Sequence, residues 1–190
     1  YYEQFGSGLV FRTYENKGLG VDNAMDGVRI KYNILNSIDI KSFIGTSRTY
    51  LEYSDGIVRG IDVETNLFEL LALEKSTNLI LGSSFVSRFQ KDNNPKFNLP
   101  QNVGVYGLRS NLISGNFNYY LEYVHKYNDP AGSIADNSNN YATGNAIKTS
   151  LTYFQKGLGF SFDAHRVDNM EFRSERQQSK EYIINYIPTL

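Results

Sequence analysis

Hydrophobic and polar residues alternate with a period of two along most of this chain. Between residues 27 and 35, apolar side chains occupy every second position from Val28 to Ile34, with Arg29, Lys31 and Asn33 between them. Alternation of this kind places the two sets of side chains on opposite faces of a β-strand. The chain is therefore predicted to be all-β.

The first strand is predicted at residues 2–14, where Phe5, Leu9, Phe11 and Thr13 share one face. Two glycines lie inside this stretch, and glycine within a strand often marks a bend or a close backbone approach. Further strands are predicted at about 27–35, 38–48, 58–75, 79–90, 103–113, 117–127, 144–154, 158–166 and 182–187. Residues 67–75 also fit a short helix, but the period-two pattern that leads into them favours a strand.

The predicted connections are alternately short and long, with a medium one that contains a turn signal at Asp55-Gly56. This alternation favours an antiparallel up-and-down transmembrane β-barrel, because bacterial outer-membrane barrels have short turns at one end and long loops at the other. Strands of roughly 9–13 residues suit a tilted crossing of the bilayer. About ten strands are predicted, as part of a larger barrel. A soluble β-sandwich is the alternative fold.

Composition narrows the class of protein further. The chain has 190 residues, a net charge of −1 and no cysteine, so nucleic-acid binding, disulfides and thiolate metal sites are not expected. It contains 15 tyrosines and 12 phenylalanines but no tryptophan. No apolar run is long enough for a spanning helix. The chain starts within a predicted strand, so residues 1–190 are interpreted as one β-barrel region of a longer protein with its export signal upstream.

Several segments are similar to a family of uncharacterised Bacteroidetes outer-membrane proteins, the DUF6029 family. These are residues 2–15, 19–24, 59–64, 172–176 and 185–188, so the resemblance covers nearly the whole chain. It implies a barrel architecture and a location in the bacterial outer membrane. It implies no chemistry, because the family has no established activity.

If the apolar face contacts lipid, the opposite face lines the lumen. The lumen-facing candidates are Arg12, Arg29, Lys31, Lys41, Asp62, Glu64, Arg88, Glu122, Lys148, Asp163 and His165. Charges in a dry interior must be paired, whereas a wet lumen would hydrate them. Because both signs occur, only weak ion selectivity is expected.

An enzyme is the less favoured alternative. Asp163 and His165 form one inward pair and Asp62 and Glu64 another, and together they could activate water as in omptin-type outer-membrane proteases. No other segment resembles that family. Neither a metal site nor a cofactor is expected, because the only histidines are His125 and His165 and no calcium-loop spacing occurs.

The long loop at residues 128–143 is a candidate recognition site through Asn128, Asp129, Asp136 and Asn137. The sequence thus predicts a lipid-embedded barrel with one of two roles. One is porin-like passage of small solutes. The other is a non-conducting structural or scaffolding barrel that binds an envelope protein or a polysaccharide through its loops.

Overall fold

The computed structural model describes residues 1–18, 21–73, 76–91, 102–129, 141–175 and 183–186. Their strands are β1 (Gln4–Phe5), β2 (Phe11–Arg12), β3 (Glu15–Asn16), β4 (Val21–Ile34), β5 (Ile38–Thr49), β6 (Glu52–Asn66), β7 (Thr77–Phe89), β8 (Asn102–Ser114), β9 (Phe117–Asp129), β10 (Ala142–Gln155) and β11 (Leu158–Asp168), with one short helix, α1 (Leu67–Leu70), between β6 and β7. Within these residues, no helix is long and apolar enough to cross a membrane.

Strands β3 to β11 form one nine-stranded sheet in which every strand pairs antiparallel with its neighbours in sequence. The predicted all-β, antiparallel, up-and-down order is confirmed. We call the end of the sheet that carries the β4–β5, β6–β7, β8–β9 and β10–β11 connections the lower end, and the opposite end the upper end. In the described residues, β11 has no partner along its outer edge.

The prediction of a single first strand at residues 2–14 is wrong. Residues 2–14 fold into the separate β1–β2 hairpin, because Gly6 and Gly8 adopt positive φ angles of 53° and 95° and reverse the chain. The last predicted strand is reduced, in its described part, to a single bridge between Arg173 and Ile183. Both segments leave the nine-stranded sheet and pack against one of its faces.

Two local predictions on β6 are also wrong. Asp55-Gly56 lies inside the strand, and the turn falls at Tyr50-Leu51, where Tyr50 has φ 55°. Residues 67–70, which are predicted to continue this strand, form α1 instead, since the Asn66 side chain accepts a hydrogen bond from Glu69 N at 3.3 Å and caps the helix.

The two faces of the sheet differ in what lies on them. We call residues 1–14, 169–175 and 183–186 the inner segments, the face they pack on the covered face, and the other the open face. The core forms between the inner segments and the covered face. It consists of Phe5, Leu9, Val10, Phe11, Met170, Phe172 and Ile184 from the segments, with Met25, Phe43, Val58, Val86, Val103, Val105, Val124 and Ala146 from the sheet.

Small residues on the covered face make room for these segments. A Cβ atom on Gly107 would lie 2.5 Å from Cγ2 of Val10, and one on Gly60 would lie 3.0 Å from the ring of Phe5. At Gly56 the space of a Cβ is filled by the carbonyl oxygen of Ser174. The covered face and the inner segments are therefore complementary in shape.

The open face is apolar and exposed. On β4, Val28 is 62% exposed, Ile30 61% and Tyr32 63%. Comparable side chains continue across the sheet at Ile44, Ile61, Leu81, Phe85, Leu108, Ile147, Phe160 and Phe162. The prediction that the two faces differ is thus confirmed. The charged residues lie on the covered face, and the large apolar residues lie on the open face.

Replacing Gly107 by alanine is expected to destabilise the fold by about 1–3 kcal/mol, because the added methyl overlaps Val10 in a packed core. Adding Val10→Ala to this variant should give a loss smaller than the sum of the two single losses. Chemical unfolding followed by circular dichroism measures both. Ser110→Ala, on the open face of the same strand, is the control, and additive losses would contradict the proposed contact.

Candidate functional site

A buried ion-pair cluster lies at the centre of the covered face. The strand registers place Glu64 on β6 and Arg109 on β8 in the same row, with Gly82 of β7 between them. Because Gly82 has no side chain, the guanidinium of Arg109 crosses it, and a Cβ there would lie 2.5 Å from Arg109 Nε. Arg109 can therefore reach the carboxylates of Asp62 and Glu64 on β6 from two strands away.

The guanidinium of Arg109 is fully engaged. Its Nη2 lies 2.8 Å from Asp62 Oδ1 and 2.8 Å from Glu64 Oε1, and its Nε donates to Glu64 Oε1 at 3.0 Å. Nη1 donates to Ser84 Oγ at 2.6 Å, and Ser84 in turn donates to Asp62 at 2.6 Å. Asp62 is only 1% exposed, so its charge depends on this one cation.

Glu122 is the second buried carboxylate of the cluster. It is 1% exposed, and its Oε2 accepts hydrogen bonds from the Tyr120 hydroxyl at 2.8 Å and from Ser7 N at 3.3 Å. Its Oε1 has no hydrogen-bond partner among the described residues and lies against Gly6, where a Cβ would be 2.5 Å away. The turn of the β1–β2 hairpin therefore rests directly on this carboxylate.

Charged and polar residues of the covered face also hold the inner segments. Glu3 pairs with Arg29 at 3.2 Å and Lys31 at 3.3 Å on β4. Lys126 on β9 donates to the carbonyl oxygen of Glu171 at 2.8 Å, and Arg88 on β7 donates to that of Arg173 at 2.9 Å. Ser54 on β6 donates to Ser174 O at 2.9 Å. Residues 171–174 thus form a strap across three strands.

An open cleft of about 440 Å³ adjoins the cluster below the hairpin turn. Gly6 and Ser7 form its upper boundary. The strands contribute Glu64, Arg109, Asn111, Asn118, Tyr120, Lys148, Ser150 and Asp163. The inner segments leave this part of the covered face unfilled.

All the lumen-facing candidates except Arg12 lie on the covered face. The registers place Lys31, Lys41 and Asp62 in one row and Glu64, Glu122, Lys148 and His165 in the next. On the same face, Arg29 and Asp163 lie in the adjoining rows and Arg88 lies one row above Arg29. Arg12 belongs instead to the hairpin, where its guanidinium stacks on Tyr14 and Tyr186 at 4.7 and 5.1 Å from the ring centroids. Whether the covered face lines a lumen remains a prediction.

Activation of water by Asp62, Glu64, Asp163 and His165 would need a carboxylate that is free to act as a base. Asp62 and Glu64 are both paired with Arg109. Asp62 is buried beneath Arg109, while Asp163 and His165 lie exposed on β11, five strands further along the sheet from β6. Among the described residues, no group of three acidic, histidine or cysteine side chains could hold a metal ion. The hydrolase stays an untested prediction.

The loop candidates divide into two pairs. Asn128 and Asp129 lie at the end of β9, and Asp129 is buried with its carboxylate 2.6 Å from Lys126 Nζ, so it is unsuited to recognition. Asp136 and Asn137 lie outside the described residues.

Sequence reasoning missed Arg109, Lys126 and Glu3. Arg109 lies in the strand with the least regular alternation, but the tight turn at Gly115-Asn116 would have placed it opposite Glu122. No local signal identifies Glu3, whose partner Arg29 is 26 residues away, or the bond from Lys126 to the carbonyl oxygen of Glu171, 45 residues away.

The fold and site define a class of protein: an antiparallel meander sheet with one exposed apolar face and one polar face filled by its own chain. The chain belongs to the family of unknown function DUF6029, which it matches over residues 1–190. Neither a curated protein nor a solved structure matches it. The expected family membership is confirmed.

Replacing Arg109 by methionine should destabilise the fold by roughly 3–5 kcal/mol, because Asp62 would remain buried without its cation. The double variant Asp62→Asn with Arg109→Met should recover part of this loss in a double-mutant cycle of chemical unfolding. Lys156→Gln, in the β10–β11 turn, serves as the control. An Arg109→Met variant as stable as this control would contradict the assignment.

Proposed function

We propose that this chain forms part of the wall of a transmembrane β-barrel in the bacterial outer membrane. Its inner segments fill the interior, and its role is structural, as a barrel without a permanently open pore. The observation that carries the proposal is the inverted polarity of the sheet. Ion pairs are buried on the covered face while large apolar side chains are exposed on the open face.

This inversion is unfavourable in water and favourable in lipid. Exposed apolar surface costs roughly 25 cal/mol per Å² in water, and contiguous apolar patches of this extent mark interaction surfaces. Along strands β4–β10, from the row of Ile30 down to the row of Phe117, the open face carries no Asp, Glu, Lys or Arg. We call this uncharged surface, seven strands wide, the apolar field. It is suited to the hydrocarbon core of a bilayer.

Aromatic rings border this field at both ends. Tyr106, His125 and Tyr127 pack together near the upper end, with ring centroids 5.3–6.4 Å apart. Phe117, Tyr153 and Phe160 form a row at the lower end. Eight residue steps separate Phe117 from His125, or about 26 Å along the strand at ~3.3 Å per residue. Even after tilting, this approaches the ~25 Å band of outer-membrane barrels.

The filled interior favours the non-conducting role over porin-like passage. The inner segments bury Phe5, Leu9, Phe11 and Phe172 against the covered face and leave each of them at most 1% exposed. A solute would have to displace this packed core. The glycines that accommodate the segments indicate that the filling belongs to the resting state.

The proposed barrel must be larger than the sheet described. Strands β4 to β11 joined directly would make an eight-stranded barrel, whose interior is only wide enough for side chains. The inner segments add a hairpin and two further stretches of backbone inside it. Since every backbone group in lipid must be paired, the free edges of the sheet require further strands. We infer at least ten strands in total.

Replacing Leu81, in the middle of the apolar field, by arginine should reduce membrane insertion, at a cost of about 2–4 kcal/mol. Flotation of the refolded chain with phospholipid vesicles measures insertion. Asn118→Arg, a substitution at an exposed position of the covered face, is the matched control and should insert like the wild type. A wild-type chain that stays dissolved without detergent, away from the vesicles, would refute the membrane proposal.

In planar bilayers, the inserted full-length protein is expected to show no steady conductance, because the inner segments occupy the interior. Steady openings would instead support porin-like passage. The chain has no native cysteine, so Val10→Cys with Gly107→Cys can tie the hairpin to β8. If openings occur in the reduced pair and vanish on oxidation, the hairpin is a movable gate and the structural role is wrong.

A further inference from the structure

We propose that the cleft below Gly6 and Ser7 binds a short, uncharged saccharide of one or two sugar rings. The inference rests on the proposed function, because it assigns a ligand to the part of the interior that the inner segments leave open. It places recognition inside the barrel wall, away from the loops at the upper end. The cleft, at about 440 Å³, lies within the roughly 300–1,000 Å³ typical of small-molecule sites.

The side chains that line the cleft are all polar, apart from the single ring of Tyr120. Asn111, Asn118 and Ser150 provide neutral donors and acceptors of hydrogen bonds. An aliphatic ligand would leave these groups unpaired on binding, at a cost for each one. A polyhydroxylated ligand offers a donor and an acceptor at every hydroxyl, and so matches a wall of this composition.

The charges of the cleft argue against an ionic ligand. Two acidic residues, Glu64 and Asp163, are balanced by two basic ones, Arg109 and Lys148. Glu64 and Arg109 are already paired at 2.8 Å. A strongly cationic or anionic ligand would therefore meet a like charge wherever it found an opposite one. A neutral ligand avoids this repulsion and can still accept charge-assisted hydrogen bonds from Lys148.

Asn111 provides an independent indication of a hydrogen-bonding ligand. Its Oδ1 is a buried acceptor with no partner among the described residues. Unpaired buried acceptors are uncommon, and this one calls for a partner beyond the described residues. The terminal torsion of asparagine is broad, so a modest rotation turns this oxygen toward the cleft. A sugar hydroxyl can then donate to it.

The remaining features suit a ring-shaped ligand. Tyr120 has its hydroxyl engaged with Glu122, which holds the aromatic ring in one position beside the cleft. The apolar face of a sugar ring can pack on such a surface. Above it, Gly6 and Ser7 close the cleft against the hairpin. A bound saccharide would therefore be limited in extent on the side of the hairpin by Gly6 and Ser7.

Titration calorimetry of the full chain in detergent tests this inference, with cellobiose, maltose and diacetylchitobiose as probes and spermidine and citrate as charged comparators. At least one disaccharide should bind saturably and more tightly than either comparator. Asn118→Ala combined with Ser150→Ala should weaken that binding tenfold or more, since both side chains line the cleft and are not needed for the core. Ser110→Ala, on the open face, should leave it unchanged.

Tighter binding of spermidine or citrate would overturn the proposal. The absence of saturable binding for all three disaccharides would overturn it as well. Vesicle flotation of the same preparation separates this result from the proposed function. A chain that inserts but binds no saccharide disproves only the cleft assignment, whereas one that binds saccharide but does not insert disproves the membrane role.

Discussion

The packing of the β1–β2 hairpin against the covered face is the interaction on which the rest of the structure depends. Phe5, Phe11 and Phe43 form one aromatic cluster, with ring centroids 4.5–5.7 Å apart, and this cluster joins the hairpin to β5. Without the inner segments, the covered face would be a shallow sheet of small residues and charges with no core. With them, water is excluded from the buried ion pairs of the covered face, whose charges then need partners within the protein.

That exclusion determines how the charges are arranged. A buried carboxylate requires a partner: Asp62 is paired with Arg109 and Glu3 with Arg29, both distant in the chain, while Asp129 is paired with Lys126 on its own strand. The same side chains also bind backbone carbonyl groups of the inner segments, as Lys126 does for Glu171. The ion pairs therefore specify where the filling lies, in addition to satisfying one another.

The same division of the sheet connects structure with the proposed role. An apolar face turned outward suits lipid, while the polar face keeps an open cleft beside Arg109 and Lys148 that suits a ligand. In the proposed barrel, this sheet would be part of the wall, and the cleft would lie on its inner side. In the proposed barrel, the inner segments would confer rigidity and the apolar open face would anchor the sheet in lipid.

Most strands of the nine-stranded sheet could be predicted from the sequence, because period-two alternation depends only on neighbouring residues. Positions such as Val28 and Arg29 could be assigned to opposite faces, and tight turns gave the antiparallel order. Only the tertiary structure decided that residues 2–14 leave the sheet, because their alternation is equally compatible with a hairpin once Gly6 and Gly8 turn the chain. It also decided the role of Arg109, whose partners lie two strands away across Gly82. Local patterns reveal which residues share a face, but not which distant segment will cover that face.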